Sequence, residues 1–305
     1  MTYTIVGLGE LLWDLLPNGK QLGGAPANFA YIAHLLGDHA VVASRIGEDN
    51  PGVEAMARLE QLGLSVSQVQ LDRERATGTV EVSLDERGEP SYRSSNDVAW
   101  DHLEWTAEWE ELSGTADAVC FGSLAQRSPK SRDTILRFLQ NMRPDSLRLF
   151  DVNLRHAFFS ADLLRNSIEH STAVKLNETE MPQMNDLLQL GGRGTHAFAH
   201  RLIQVFDLQL VAITRGSRGS VIVTPDEIVD QAGEPAEVVD TVGAGDAFGA
   251  ALVHQFLRKR SLEEISAVAN RVGGWMTTQS GATPTITAAA VLQEIAFKTN
   301  QDLSS

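Results

Sequence analysis

Short apolar, β-branched runs recur along this chain with segments of helical period between them, and that alternation restricts its fold more than any other feature. TYTIVGLG (2–9), AVVASRIG (40–47), DAVCFGS (117–123), LRLFDVN (147–153), AVKLN (173–177) and LQLVAIT (208–214) read as buried strands. PANFAYIAHLL (26–36) sets Ala27, Ala30, Tyr31 and Ile32 with Leu35 on one helical face. PGVEAMARLEQLG (51–63) opens on Pro and closes on Gly, as helices do, and 129–142 and 195–206 share the helical period. Strands separated by helices imply βαβ units, so the expected architecture is α/β: a doubly wound, mostly parallel sheet with helices on both faces.

One stretch breaks the rhythm. From Thr77 to Asp85 the residues alternate, with Val80, Val82 and Leu84 on one side and Thr79, Glu81, Ser83 and Asp85 on the other. ERGEP (86–90) is a turn and SYRSS follows, which makes a half-buried antiparallel hairpin. It reads as a small β-insertion whose apolar face covers something, a lid or an interface. An ordinary edge hairpin is the plainer alternative.

Charge narrows the ligands. Lys and Arg number 25 against 40 Asp and Glu, a net −15, which argues against nucleic acid because phosphate neutralisation needs concentrated positive charge. A small anion is not excluded, since a few backbone N–H groups can hold a phosphate inside an acidic protein. Cys120 is the single cysteine, so neither an intrachain disulfide nor a cysteine-based zinc site is available. The opening MTYTIVGLGE has no charged n-region before an apolar stretch, and no run approaches about 18 apolar residues. The expected location is the cytoplasm, with no membrane span.

The most specific segment is DTVGAGDAFGAALVHQFL (240–257). Gly243, Ala244 and Gly245 precede a helical run in Phe248, Ala251, Leu252 and Phe256. Small residues let the backbone approach an anion, and the N–H groups of a helix start point at it with the macrodipole behind them. Asp246 sits in the first helical turn beside that cradle. An Asp there also simply complements the dipole, and the two readings stand side by side. Phosphoryl transfer needs charge stabilisation on the transferring group and a carboxylate to accept the attacking hydroxyl proton, which this turn supplies together. GxxxxGK[ST] is absent, and GLGE (7–10) lacks the third glycine of a dinucleotide fingerprint.

DTVGAGDAF resembles the C-terminal signature of the ribokinase, or PfkB, family of carbohydrate kinases, and GGAPANFAYIAHLLG with ASRIGEDNPG (23–52) resembles its N-terminal signature. The two stand in the family's order, with matching motifs between them. The resemblance implies a single ribokinase-like domain over 1–305, with a small β-sheet lid from about 11–22 and 70–98. It implies that Asp246 is the catalytic base and that Gly243, Ala244 and Gly245 form the anion hole. Asp14, in GELLWDLLP, matches the residue that binds sugar hydroxyls, and Gly23, Gly24 and Asn28 match the family's GG…N element. NETE (177–180) resembles the NxxE motif, in which Asn177 and Glu180 organise hydrated Mg²⁺ and the ATP phosphates.

TRGSRG (214–219) resembles a nucleotide-holding turn, giving Thr214, Gly216 and Gly219, and Asn270 with GATPT (281–285) falls where the family builds its adenine pocket. Asp240 and the carbonyls of Val242 and Gly281 match a monovalent-cation site, potassium in kind. FDVNLR (150–155) resembles the D-x-N-x-R segment of fructokinase-like members, placing Asn153 and Arg155 near the phosphate and sugar. Arg93 in SYRSSNDVAWD matches a lid Arg that reaches substrate, although the surrounding sequence departs from the usual fructokinase lid. A solvated strand residue is the alternative for it.

The implied activity is ATP-dependent phosphorylation of a sugar primary hydroxyl, with fructose first among the substrates. Ribose, 2-keto-3-deoxygluconate and a nucleoside are the rivals within the family. A non-catalytic sugar-sensing relative and an NAD-binding oxidoreductase are rivals of other classes. The apolar hairpin face could also pair with a second copy, giving a homodimer through the lids. His196 and His200 lack the Glu of HExxH, Trp100, Trp105 and Trp109 read as local packing, and EWEE (108–111) as a solvated face.

Overall fold

The computed structural model describes residues 2–16, 19–84, 90–155 and 158–296. Thirteen strands are described: β1 (Thr4–Leu8), β2 (Leu12–Leu16), β3 (Gly19–Gly23), β4 (His39–Gly47), β5 (Val69–Asp72), β6 (Gly78–Leu84), β7 (Pro90–Ser94), β8 (Ala118–Gly122), β9 (Leu147–Asp151), β10 (Ala173–Asn177), β11 (Leu210–Thr214), β12 (Ser220–Val223) and β13 (Ile228–Gln231). The helices are α1 (Ala25–Leu35), α2 (Asn50–Gln61), α3 (Ala107–Thr115), α4 (Pro129–Asn141), α5 (Ala161–Glu169), α6 (Met181–Leu188), α7 (Thr195–Phe206), α8 (Ala244–Leu257), α9 (Leu262–Met276) and α10 (Ala288–Ala296).

Nine strands form one sheet in the order β13-β12-β11-β10-β9-β8-β1-β4-β5, parallel from β11 to β5 and antiparallel only at β12 and β13. The apolar runs become its buried strands because both faces are covered. Ile5, Val42, Leu149 and Ala212 join a core with α1, α8 and α9. Their neighbours Val6, Val41, Phe150 and Val211 join a second core with α3 to α7. Successive strand residues point to opposite faces, so two cores follow from one apolar run. Trp100 and Trp109, each 1% exposed, lie in the second core, and Glu108, Glu110 and Glu111 face solvent.

The remaining strands form a four-stranded sheet ordered β3-β2-β6-β7. β6 and β7 pair antiparallel, and β2 runs parallel to β6. Val80 is buried and Glu81 exposed, the alternation expected of a strand with one wet face. Most of the ERGEP turn lies outside the described residues. Val69–Asp72 pairs with β4 at the edge of the large sheet rather than with the small one. Asp49 joins the two sheets: its Oδ1 caps α2 by accepting from Gly52 N–H at 2.8 Å, and its Oδ2 accepts from Thr77 N–H at 2.9 Å, just before β6. A cap of this kind contributes about 1 kcal/mol.

Candidate active site

Strand order reverses at β1, with β4 and β5 to one side and β8 to β11 to the other. An open α/β sheet leaves a crevice beyond the carboxyl ends of its strands at such a point, because flanking chains turn away to opposite faces. Glu10 follows β1, Asp151 ends β9, Asn177 ends β10 and Thr214 ends β11. The crevice therefore collects the polar groups that the apolar strands carry at or near these ends.

α8 begins over this crevice. Its N-cap Gly243 has φ 79° and gives no side-chain cap, leaving first-turn N–H groups for another acceptor. A Cβ at Gly243 would stand 2.7 Å from the Cβ of Ala282, so glycine is required for both backbone conformation and space. Asp246 follows within the first turn, partly exposed. Burial pushes its carboxyl up to about 6, with Asp151 adding to the shift and Lys175, the Asn28 amide and Arg155 opposing it.

Asn28 crosses from α1 to donate from Nδ2 to Asp246 Oδ2 at 2.8 Å. Its own Oδ1 is buried without a partner among the described residues, an acceptor waiting for a donor. Asp14 stands on β2, half-buried, and desolvation raises its carboxyl to about 6 against the pull of Arg155. A Cβ at Gly23 would fall 2.2 Å from Asp14 Oδ2, so β3 passes directly beneath this carboxylate. Gly24, at φ 109°, then turns the chain into α1. Arg155 is exposed, yet its charge acts on Asp14, Asp246 and Glu10. Asn153 has φ 39°, and its carbonyl accepts from Ser123 Oγ at 3.1 Å.

Beneath the α8 turn lies a buried ion pair. Lys175 Nζ donates to both Asp151 oxygens, at 2.9 and 2.7 Å, and a Cβ at Gly245 would lie 3.3 Å from that ammonium. Burial alone would lower the lysine, but Asp151, with Asp246 and Glu180, holds it above its ordinary value. Glu180 accepts from Leu154 N–H through Oε1 and from Asn177 N–H through Oε2, both at 2.8 Å. Asn177 Oδ1 in turn accepts from the N–H groups of Thr179 and Glu180. NxxE is thus a folded turn that fastens the end of β10 to the end of β9.

On the other flank Asp240 accepts from Val242 N–H and Gly281 N–H, each at 3.0 Å, so it brings those two loops together. Gly216 (φ 58°) and Gly219 (φ 85°) shape the turn after Thr214. Asn270 spends its amide within the body, donating to Ser220 Oγ at 2.7 Å and the Ser266 carbonyl at 2.8 Å. Tyr31 of α1 donates to the Pro284 carbonyl, and Arg58 of α2 to the Thr283 carbonyl, which ties the GATPT segment to the N-terminal helices.

Asp14, Gly23, Gly24, Asn28, Arg155 and Asp246 are thus drawn together, with Asn177 and Glu180 in an adjoining cluster. Arg93 is exposed on β7, and no hydrogen bond or ion pair joins it to this group among the described residues. Glu10 and Lys175 escaped the sequence reading of the site, and Asp151 entered it only within D-x-N-x-R, with no role of its own. Their signal was a charge set inside or just beyond an apolar strand run. A recess of about 520 Å³ lined by Arg45, Glu48, Asp72, Glu104 and Lys130 lies elsewhere, and ion pairs among these side chains and Arg73 occupy its charges.

The pfkB family carbohydrate kinase model matches residues 18–289. A protein of Pyrococcus horikoshii described as an uncharacterized sugar kinase is 30% identical over 297 residues, 91% of this chain and 91% of its own. The structure of that protein with ATP superimposes with TM-score 0.80 at 28% identity, covering 97% of this chain and 99% of that one. A fructokinase of Escherichia coli is 28% identical over 304 residues, 90% of this chain and 93% of its own. A double mutant of the fructokinase of Vibrio cholerae, solved with fructose, ADP and potassium, has the same fold, with TM-score 0.81 at 24% identity over 97% of this chain and 98% of that one.

Proposed function

The chain belongs to the pfkB family of carbohydrate kinases, and on that premise we propose that it transfers the γ-phosphoryl group of ATP to a primary hydroxyl of a small sugar, D-fructose giving fructose 6-phosphate, with Asp246 as base. The observation that carries this reading is the arrangement around Asp246. A desolvated carboxylate stands in the first turn of α8, held by Asn28 from α1, and the charge of Arg155 acts both on it and on Asp14 of β2.

In this reading Asp14 and the free Oδ1 of Asn28 accept sugar hydroxyl hydrogens, and Gly23 and Gly24 let the ring lie close to the chain. Asp246 removes the proton from the attacking hydroxyl as its oxygen bonds to the γ-phosphorus. The bond from that phosphorus to the bridging oxygen breaks, and ADP leaves. The N–H groups over Gly243, Ala244 and Gly245 receive the developing charge. Thr214, Gly216, Gly219, Asn270 and Gly281 flank the nucleotide, with Asn153 and Arg155 toward the phosphate.

Mg²⁺ suits the chemistry of the NxxE turn, since this ion keeps most of its waters and needs few carboxylates. Asn177 and Glu180 would hold it through water, and it would supply neutralisation of the ATP phosphates. Asp240, with the carbonyls of Val242 and Gly281, is the proposed monovalent-cation site. The four-stranded sheet would act as the lid, its closure bringing Arg93 to the substrate and excluding water. Pairing of two such sheets is the proposed route to a dimer. Among the described residues no helix is long and apolar enough to cross a membrane, and the cytoplasm is the proposed location.

A panel of fructose, ribose, 2-keto-3-deoxygluconate and nucleosides, with ADP release coupled to a reporter, tests the reading. The largest kcat/KM is expected for fructose. Preference for another member would replace fructose while keeping the kinase, and no turnover with any acceptor would favour a sugar-sensing role instead. Gly243→Ala is expected to lower kcat/KM for ATP by about tenfold or more, because left-handed strain and the Ala282 contact displace the cradle. Steady-state kinetics at saturating sugar would measure it.

A further inference from the structure

Gln21 has no part in the reaction just described, yet its side chain reaches from the small sheet to a loop of the large body. It stands on β3 directly opposite Asp14 of β2, and residues paired in this way present their side chains on one face. The next pair along, Trp13 and Leu22, faces the other way and joins the core with α1 and α8. Trp13 also donates its indole N–H to the Pro51 carbonyl of α2 at 2.9 Å, which fastens this hairpin to the body. The face of Asp14 therefore carries a second polar side chain, half-buried, whose amide makes no hydrogen bond among the described residues.

That amide lies on Gly281. A Cβ built there would stand 2.6 Å from Gln21 Oε1, 3.0 Å from Cδ and 3.2 Å from Nε2, so all three amide atoms crowd the space a side chain would take. Gly281 has φ 72°, and glycine is needed for that conformation as well as for the seat it offers. Its N–H is spent on Asp240. The next residue, Ala282, packs against Gly243, where a Cβ would come within 2.7 Å of the alanine methyl. Contact thus runs from the strand pair that bears Asp14, through Gln21, Gly281 and Ala282, to the N-cap of α8.

We propose that Gln21 is a positioning residue that couples the two substrates: a sugar held at Asp14 orders the β2–β3 pair, and Gln21 passes that order through Gly281 and Ala282 to the turn at Gly243. ATP then meets a turn already braced, at a smaller entropic cost. This rests on the kinase reading above and goes beyond it, since each substrate must bind more tightly when the other is present. Such coupling is reciprocal, and a factor of about five or more is ordinary between two sites. Contact alone carries no coupling unless both ligands bias it, and that bias can be measured directly.

The test is the dissociation constant of the β,γ-imido analogue of ATP, measured by calorimetry with Mg²⁺, with and without saturating D-fructose or the acceptor that replaces it in the panel above. In the wild type the sugar is expected to tighten the analogue about fivefold or more. In Gln21→Ala the tightening is expected to fall to about twofold or less, while the constant without sugar stays within about twofold of the wild type. A merely structural role would shift both constants and leave their ratio alone. Gly281→Ala fills the same seat from the other side, so adding it to Gln21→Ala is expected to cost no more coupling than either change by itself, and additive losses overturn the route. Equal tightening in wild type and Gln21→Ala, or none in the wild type, overturns the proposal while leaving the kinase intact. A wild type that phosphorylates no sugar overturns the kinase reading itself. Should one single variant fail to fold, the other carries the test, and undiminished coupling in it overturns the proposal.

Discussion

Asp246→Asn is expected to lower kcat by about 10²–10⁴-fold, the contribution of a positioned general base, while the KM for sugar changes little. Asparagine preserves the size of the side chain and an oxygen for the Asn28 amide, so the geometry survives and only the proton acceptor is lost. The same change has a second, opposite signature in stability. The Asp246 carboxyl is raised from 3.8 to about 6, so the folded protein retains a proton that the unfolded chain has already released. Wild-type stability therefore falls as pH rises from about 4 through about 6, by at most about 3 kcal/mol. The Asn variant escapes that loss. Its advantage in urea unfolding is expected to be absent near pH 4, to grow to about pH 6.5 and to level above it. A variant that is slower at every pH and less stable at pH 8 would contradict the assignment of Asp246 as a desolvated base.

Lys175→Met should have the largest structural effect. It leaves Asp151, 6% exposed, as a buried charge that has lost both hydrogen bonds from the ammonium. Removing one partner of a buried pair costs about 3–5 kcal/mol, read as a lower urea midpoint. Adding Asp151→Leu to Lys175→Met is expected to restore much of that stability, because the orphaned charge is gone. Activity should not return with it, since the ammonium behind Gly245 would still be missing. If the double variant regained both, Lys175 would serve the fold alone.

The pattern of this fold was legible where a run of residues carried one message. AVKLN and LQLVAIT could only be buried strands, and the helix from Ala244 was announced by small residues followed by an apolar period. β12 and β13 went unread because each is four residues long, and β13 alternates between exposed and half-buried positions rather than forming an apolar run. At the site, the glycine turn before α8 and the Asn28 element were legible because glycines and short polar side chains stand in an unusual order. Glu10, Asp151 and Lys175 were not, since one charge beside a strand says nothing about which charge will meet it. Lys175 and Asp151 meet only because β9 and β10 pair in register, Asp151 opposite Lys175. Asn270 shows the converse: an amide suited to a nucleotide is occupied by Ser220 and Ser266 within the body.

The hydrogen bond between Asn28 and Asp246 joins residues 218 positions apart. On a ribosome adding about 5–20 residues per second, Asn28 emerges roughly 10–45 s before its partner. Throughout that interval the growing chain holds Asn28, Asp14 and Gly23 without the proposed base and the turn before it. On the proposed mechanism, phosphoryl transfer would therefore wait until α8 has been delivered and docked against α1.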